Sequence, residues 1–239
     1  MAASMKMKCY IISPLGDDEE TYNLKMVNCF NAEIIRSHLS SVSETIDNVI
    51  SDLKQNGLSP YFIMGGGHGN LGTQAYVDCY NEIADYETNN NIKFDYIFHA
   101  SGTGTTQAGL ICGKILHKAA CKIVGISIAR EKTRGSKVIL DSVTDYMTQL
   151  GANDDYTGHI NFIDDYTLNG YGKYNDEIDN VIGRVLTDYG IPLNRTYTGK
   201  AFWGMEKYMK SMKITGKNIL FIHTGGTPLF FDYLEGLQK

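Results

Sequence analysis

Three apolar, β-branched runs in this chain end in loops dense in glycine and threonine, and these loops constrain the fold more than any other feature. YFIM runs into GGGHGNLGT at 65, YIFHA into SGTGTTQAG at 101, and LFIHT into GGTP at 225. In an open parallel sheet, strand-to-helix loops of this kind gather beyond the carboxyl ends of the strands, where ligands collect. Glycine loses the most backbone freedom on folding, so such density is a cost to stability that implies crowding by a ligand or by another stretch of chain. The three loops are therefore expected to line one pocket.

The periodicity around them is that of an α/β chain with a mostly parallel sheet. Strands are expected at 9–13, 32–37, 61–65, 94–100, 122–129, 159–164 and 218–224. Helices are expected at 71–87, 104–117, 136–150, 175–189 and 199–212. An earlier helix lies within 40–57, where Ser41 or Ser43 can cap, Ile46, Val49, Ile50 and Leu53 form the apolar stripe, and Gly57 closes. The segment NGLSP at 56–60 is the natural hinge. It divides the chain into 1–60, a small α/β domain, and 61–239, a large one.

Composition removes several classes of function. The net charge of −5, with 22 Lys and Arg spread along 239 residues, offers no footprint for a polyanion, so no nucleic-acid partner is expected. No apolar run reaches the roughly 18 residues needed to cross a bilayer, and the first residues lack the apolar core of a signal peptide. Cys9, Cys29, Cys79, Cys112 and Cys121 are odd in number and never in a CxxC or Cys/His ligand spacing. They read as reduced thiols of a cytoplasmic protein with no metal site.

The middle loop carries the most chemistry. Ser101-Gly102-Thr103-Gly104-Thr105-Thr106 turns tightly into a helix, and its successive N–H groups at a positive helix end make an anion cup to which threonine hydroxyls add donors. A Walker A loop is ruled out, because the nearby Gly113-Lys114 is followed by Ile115. The dinucleotide fingerprint begins with Gly102 and Gly104 but places Gln107 at its last glycine. His68 and His223 sit in the flanking loops; for His223 a structural role, bonded to backbone, is the more economical reading.

Read in order, GGGHGNLGTQAYV at 65–77, ASGTGTTQAGL at 100–110, GYG around Tyr171, YTGKAFWGM at 197–205 and ILFIHTGGTP at 219–228 resemble the D-cysteine desulfhydrase and 1-aminocyclopropane-1-carboxylate (ACC) deaminase family. These are fold-type II pyridoxal 5′-phosphate enzymes, related to tryptophan synthase β. The resemblance implies a doubly wound, mostly parallel sheet, with 61–239 as the large cofactor-binding domain and 1–60 as a truncated smaller α/β domain. It implies that Gly102, Thr103, Gly104, Thr105 and Thr106 hold the cofactor phosphate, Thr105 standing where a glycine is usual. Tyr197 would lie against the cofactor ring, Tyr171 would face the substrate, and Thr224 would meet the pyridine nitrogen.

Thr198 stands where the deaminases have the glutamate of YEGK. Hydroxyls there and at Thr224 cannot hold a proton on the pyridine nitrogen as a carboxylate does, which suits β-elimination of D-cysteine to pyruvate, sulfide and ammonia. The implied partner is a small amino-acid substrate, and a homodimer is the implied assembly. The family's Schiff-base lysine, in an NKxRKLE-type motif, is absent from this sequence, as is the QSNHxRxTAAAAA helix start, so about the first quarter of a member would lie outside it. Lys25 and Lys200 are not expected to substitute. The expectation is thus a lyase of desulfhydrase type that is inactive as the chain stands. ACC deaminase-like activity, or an inactive cofactor- or phosphate-binding fragment with exposed apolar surface, are the alternatives.

Overall fold

In the computed structural model, which describes residues 2–15 and 21–237, the chain forms two compact units. One reaches to Ile63 and includes the segment from Phe231; the other is Met64–Phe230.

In the smaller unit, β1 (Tyr10–Pro14) pairs in parallel with β2 (Glu33–Ser37), Tyr10 opposite Glu33 and Pro14 opposite Ser37. The crossover contains α1 (Tyr22–Cys29), capped by the Thr21 hydroxyl, which accepts the Leu24 N–H. After β2, α2 (Val42–Gln55) begins at Ser41 as expected, but the Ser41 side chain makes no capping bond. Its carbonyl instead accepts the Thr45 hydroxyl at 2.9 Å. The last helix, α8 (Pro228–Leu237), sends its later turns into this unit. The Tyr22 N–H donates to Asp232 at 3.0 Å, the Tyr22 hydroxyl to Glu235 at 2.6 Å, and the Tyr22 and Phe231 rings lie 5.5 Å apart. The sequence division kept all of 61–239 together; these contacts draw the tail to the smaller unit.

The larger unit runs α3 (Asn70–Asn89), β3 (Tyr96–Ser101), α4 (Thr105–Leu116), β4 (Lys122–Ser127), α5 (Lys132–Gln149), β5 (Asn161–Ile163), α6 (Asp176–Tyr189), α7 (Thr198–Ser211), β6 (Ile219–Ile222) and the start of α8. Its four strands form a parallel sheet in the order β5-β4-β3-β6. Alternate residues of the central strands serve opposite faces. Ile97 and Ile123 pack in a core with Val77 of α3, Leu110 of α4 and Val143 of α5. Phe98, Val124 and Ile126 pack with Ala201 and Met205 of α7. Helices cover both faces, which is the doubly wound α/β architecture. Because all four strands run the same way, the loops after β3, β4 and β6 emerge at one edge.

The segment expected as a strand at 61–65 is not one: it is extended backbone leading into a short turn at Gly65–Gly67. Its composition is β-prone, but a strand needs a neighbour for its N–H and C=O groups, and among the described residues none pairs with it. Tyr61 and Ile63 are accordingly 73% and 70% exposed. A more local feature fixes how α4 approaches α3. A Cβ at Gly109 would collide with the Thr73 carbonyl and Tyr76, and one at Gly113 with Tyr80, so the two helices meet at a spacing only glycine allows. Gly109→Ala is expected to lower the stability of the larger unit by about 1–3 kcal/mol, the cost of overpacking a dense contact. Gly158→Ala, which meets nothing within 4 Å, should leave it unchanged. Urea unfolding midpoints measure both.

Candidate functional site

At the carboxyl edge of the sheet, β3 gives way to α4 through Gly102, Thr103 and Gly104. Gly104 is the helix N-cap at φ +103°, a conformation that side-chain-bearing residues rarely adopt, and a Cβ there would also sit 3.0 Å from Ile139. The leading N–H groups of α4, from Thr105, Thr106 and Gln107, precede the helical ladder and have no carbonyl within the helix to bond. The Thr103 carbonyl accepts a hydrogen bond from Arg130 Nη1 at 3.1 Å. In a trans peptide the carbonyl and the following N–H point in opposite directions, so this bond turns the Gly104 N–H away from Arg130. The Thr105 hydroxyl, buried beside them, has no hydrogen-bond partner among the described residues. A buried hydroxyl without a partner is costly.

The first glycine loop closes on this turn. Gly66, at φ +73°, lies so near the Thr103 side chain that any Cβ would overlap it. His68, in the same loop, has its pKa pushed below the ordinary histidine range by burial and by the Arg130 charge, against the pull of the Thr103 backbone. Arg130 is itself lowered by burial and by its neighbour Arg134. Arg130 has no carboxylate partner among the described residues, so its charge stands uncompensated at the turn that starts α4. That field favours an anion.

Tyr197 and Tyr171 form a second cluster. Their hydroxyls are hydrogen-bonded to each other, and their rings meet edge to face at 5.8 Å. Burial, followed by the Tyr171 contact, pushes the Tyr197 pKa up, so its phenol stays protonated at neutral pH. Buried Asn194 sets Tyr197 in place: its Oδ1 accepts the Tyr197 N–H at 2.7 Å, while its backbone N–H and its amide both donate to the Thr198 hydroxyl at 3.0 Å. The Thr198 hydroxyl, fully buried, thus accepts two hydrogen bonds from Asn194. Thr224 opens the loop after β6; it is half-buried, and its hydroxyl has no partner among the described residues. Two residues on, Gly226 lies against Asn194 and Tyr197. His223 is exposed, its Nε2 bonding the Pro192 carbonyl and its Nδ1 accepting the Gly225 N–H, so it shapes this loop through backbone contacts alone.

Fully buried Lys200 ties these loops to the sheet. Its Nζ donates to the carbonyls of Ile128 at 3.1 Å, Thr167 at 3.0 Å and Gly170 at 2.9 Å. An ammonium has three N–H donors, and all three are used. Burial lowers its pKa to about 8, which still leaves it charged at neutral pH. Lys200 is therefore a structural cation that anchors the loop bearing Tyr171, and not a free amine. Gln107 is also structural: fully buried, it accepts from Ser101 and donates to the Asn161 carbonyl, filling the space a dinucleotide turn leaves to its last glycine.

Arg130 and Asn194 were missed by the sequence reading. Arg130 had one available signal, its place just past the carboxyl end of an apolar strand. Asn194 had none, since its role depends on α7 and the loop after β6 meeting in space.

A family profile described as pyridoxal-phosphate dependent enzyme matches residues 1–225. The D-cysteine desulfhydrase of Yersinia enterocolitica is 29% identical over 98% of this chain and 72% of its own length. A Pyrococcus horikoshii protein provisionally named as a 1-aminocyclopropane-1-carboxylate deaminase is 34% identical over 80% of this chain, which spans only 57% of that relative. The crystal structure of an ACC deaminase homologue superposes with a TM-score of 0.88, at 29% identity, over 99% of this chain and 71% of that one.

Lys200→Met leaves three carbonyls without their donor and is expected to cost about 3 kcal/mol or more. Because the native state releases the Lys200 proton near pH 8 and the unfolded chain only near its ordinary 10.5, the unfolded state binds more protons between these values. The stability advantage of wild type over the variant should widen as pH rises through that window. Denaturant unfolding of the pair at several pH values checks both the cost and the sign.

Proposed function

The chain belongs to the pyridoxal-phosphate dependent enzyme family, and from that premise we propose that its cup at Gly102–Thr106 takes the phosphoester of pyridoxal 5′-phosphate and serves β-elimination or deamination of a small amino acid. The reading is carried by one observation: the leading N–H groups of α4 have no carbonyl within the helix to bond, and they stand at the turn whose Thr103 carbonyl takes Arg130, a cation with no carboxylate partner among the described residues. Donors and charge together suit a phosphate dianion, so the residues fit the group.

When bound, the cofactor supplies an electron-withdrawing ring that stabilises charge developing at the substrate α-carbon. The side chains do the rest. Arg130 holds the Thr103 carbonyl and thereby aims the Gly104 N–H. Tyr197, kept protonated, would lie against the cofactor ring and shares a hydrogen bond with Tyr171. The exposed Tyr171 hydroxyl meets the substrate and holds a proton for its departing or reacting group. Thr224 would meet the pyridine nitrogen with a neutral hydroxyl. With Thr198 engaged by Asn194, no carboxylate in this set holds a proton there, which favours elimination with a thiolate leaving group over opening of a cyclopropane. D-Cysteine is accordingly the preferred substrate, as in the desulfhydrase relative.

With Lys200 committed to three carbonyls, the chain by itself holds the cofactor reversibly, without covalent attachment there.

Equilibrium dialysis against pyridoxal 5′-phosphate and against pyridoxal separates the parts of this reading. Gly104→Val and Arg130→Ala are each expected to weaken binding of the phosphoester about tenfold or more while leaving pyridoxal within about twofold, as loss of a charge-assisted contact requires. Equal losses for both ligands would move the phosphate elsewhere. Borohydride treatment of the chain with the cofactor should leave Lys25 and Lys200 unmodified by mass spectrometry; an adduct on Lys200 would overturn its assignment as a structural cation, and one on Lys25 would make that residue the attachment point. Sulfide release from D-cysteine above ammonia release from ACC is the expected order of activities; the reverse order would assign the deaminase reaction.

A further inference from the structure

The opposite edge of the same sheet carries a second cleft, of about 600 Å³, within the ~300–1,000 Å³ usual for small-molecule sites. It opens where β3 and β4 begin, at Tyr96 and Lys122. The six residues of β3 separate it from the anion cup by about 20 Å at the usual rise per residue.

Its wall is rigidly built. Glu87, 5% exposed, accepts the Phe94 N–H at 2.7 Å with one oxygen and pairs with Lys93 at 2.9 Å with the other. Asp95 divides its two oxygens between Lys217 and the Asn218 N–H, both at 2.9 Å. Both carboxylates are thus saturated. The buried Tyr80 hydroxyl and Cys121 thiol satisfy each other at 3.2 Å. Phe94, Tyr96 and Ala119 add apolar surface to the lining.

Two cations remain over. Lys118 and Lys122 line the cleft and have no carboxylate partner among the described residues; Lys122 Nζ lies 5.5 Å from the centre of the Tyr96 ring. The carboxyl ends of α3 and α4 also approach this edge and contribute about −0.5 charge each. Set against four lysines and two carboxylates, they leave about one net positive charge. Each lysine alone is an ordinary helix-end or surface cation; the combination of a braced cavity, an aromatic wall and surplus positive charge is not. We propose that this cleft is a second ligand site, for a small organic carboxylate with an apolar or aromatic body. The inference does not depend on what the cup at Gly102–Thr106 binds.

Benzoate, benzamide and benzamidine share one shape and differ in charge, so titrating the full chain with each while following backbone amide shifts tests the proposal. Saturable shifts are expected at Phe94–Tyr96 and Ala119–Lys122, with benzoate about fivefold tighter than benzamide and benzamidine weakest, as two exposed ion pairs allow. In Lys118→Ala/Lys122→Ala the preference for benzoate over benzamide should vanish. A charge-matched control, Lys54→Ala/Lys210→Ala, should retain it. Unsaturable shifts, shifts confined to Gly102–Thr106, or a preference that survives loss of Lys118 and Lys122 would each overturn the proposal.

Discussion

The peptide between Thr103 and Gly104 is held with its carbonyl on the Arg130 guanidinium, and the candidate site depends on that one orientation. Reversing the peptide would bring a carbonyl oxygen among the helix-end N–H groups and turn an anion cup into a repulsive one. Gly104 permits the arrangement by tolerating φ +103°, and Gly66 permits the neighbouring loop to press on Thr103 without a Cβ in the way. Arg130 is therefore a positioning residue as well as a source of charge. Burial, followed by the nearness of Arg134, lowers the pKa of that cation.

Around the cup, the larger unit uses buried polar groups as fasteners. Lys200 joins the loop after β4 to the loop that carries Tyr171 through three carbonyls. Asn194 joins the start of α7 to the loop after β6. Gln107 joins α4 to β3 and to the chain entering β5. Each of these side chains has its polar atoms matched, so each can be buried without the penalty of an unsatisfied group. The Thr105 hydroxyl at the start of α4 is an exception, buried with no partner among the described residues.

The α/β architecture and the three loops were legible because parallel strands buried on both faces leave near-continuous apolar runs, and glycine marks where backbone must turn or crowd. Hence Gly102–Thr106, Tyr171, Tyr197 and Thr224 could be named from motifs. What was not legible needs two distant segments to meet. That the Thr198 hydroxyl accepts two bonds from Asn194, and that Lys200 donates to three carbonyls, are contacts of this kind. The 61–65 run reads as a strand because its side chains are β-prone, yet pairing is a property of neighbours, and among the described residues it has none.

The most direct measurement of the central claim is a crystal structure of the chain soaked with pyridoxal 5′-phosphate. The account predicts phosphate oxygens within hydrogen-bonding distance of the Gly104, Thr105 and Thr106 N–H groups and the Thr105 hydroxyl, with the Arg130–Thr103 bond intact. Density for the ester at any other place, or a cup whose Thr103 carbonyl has turned inward, would contradict it.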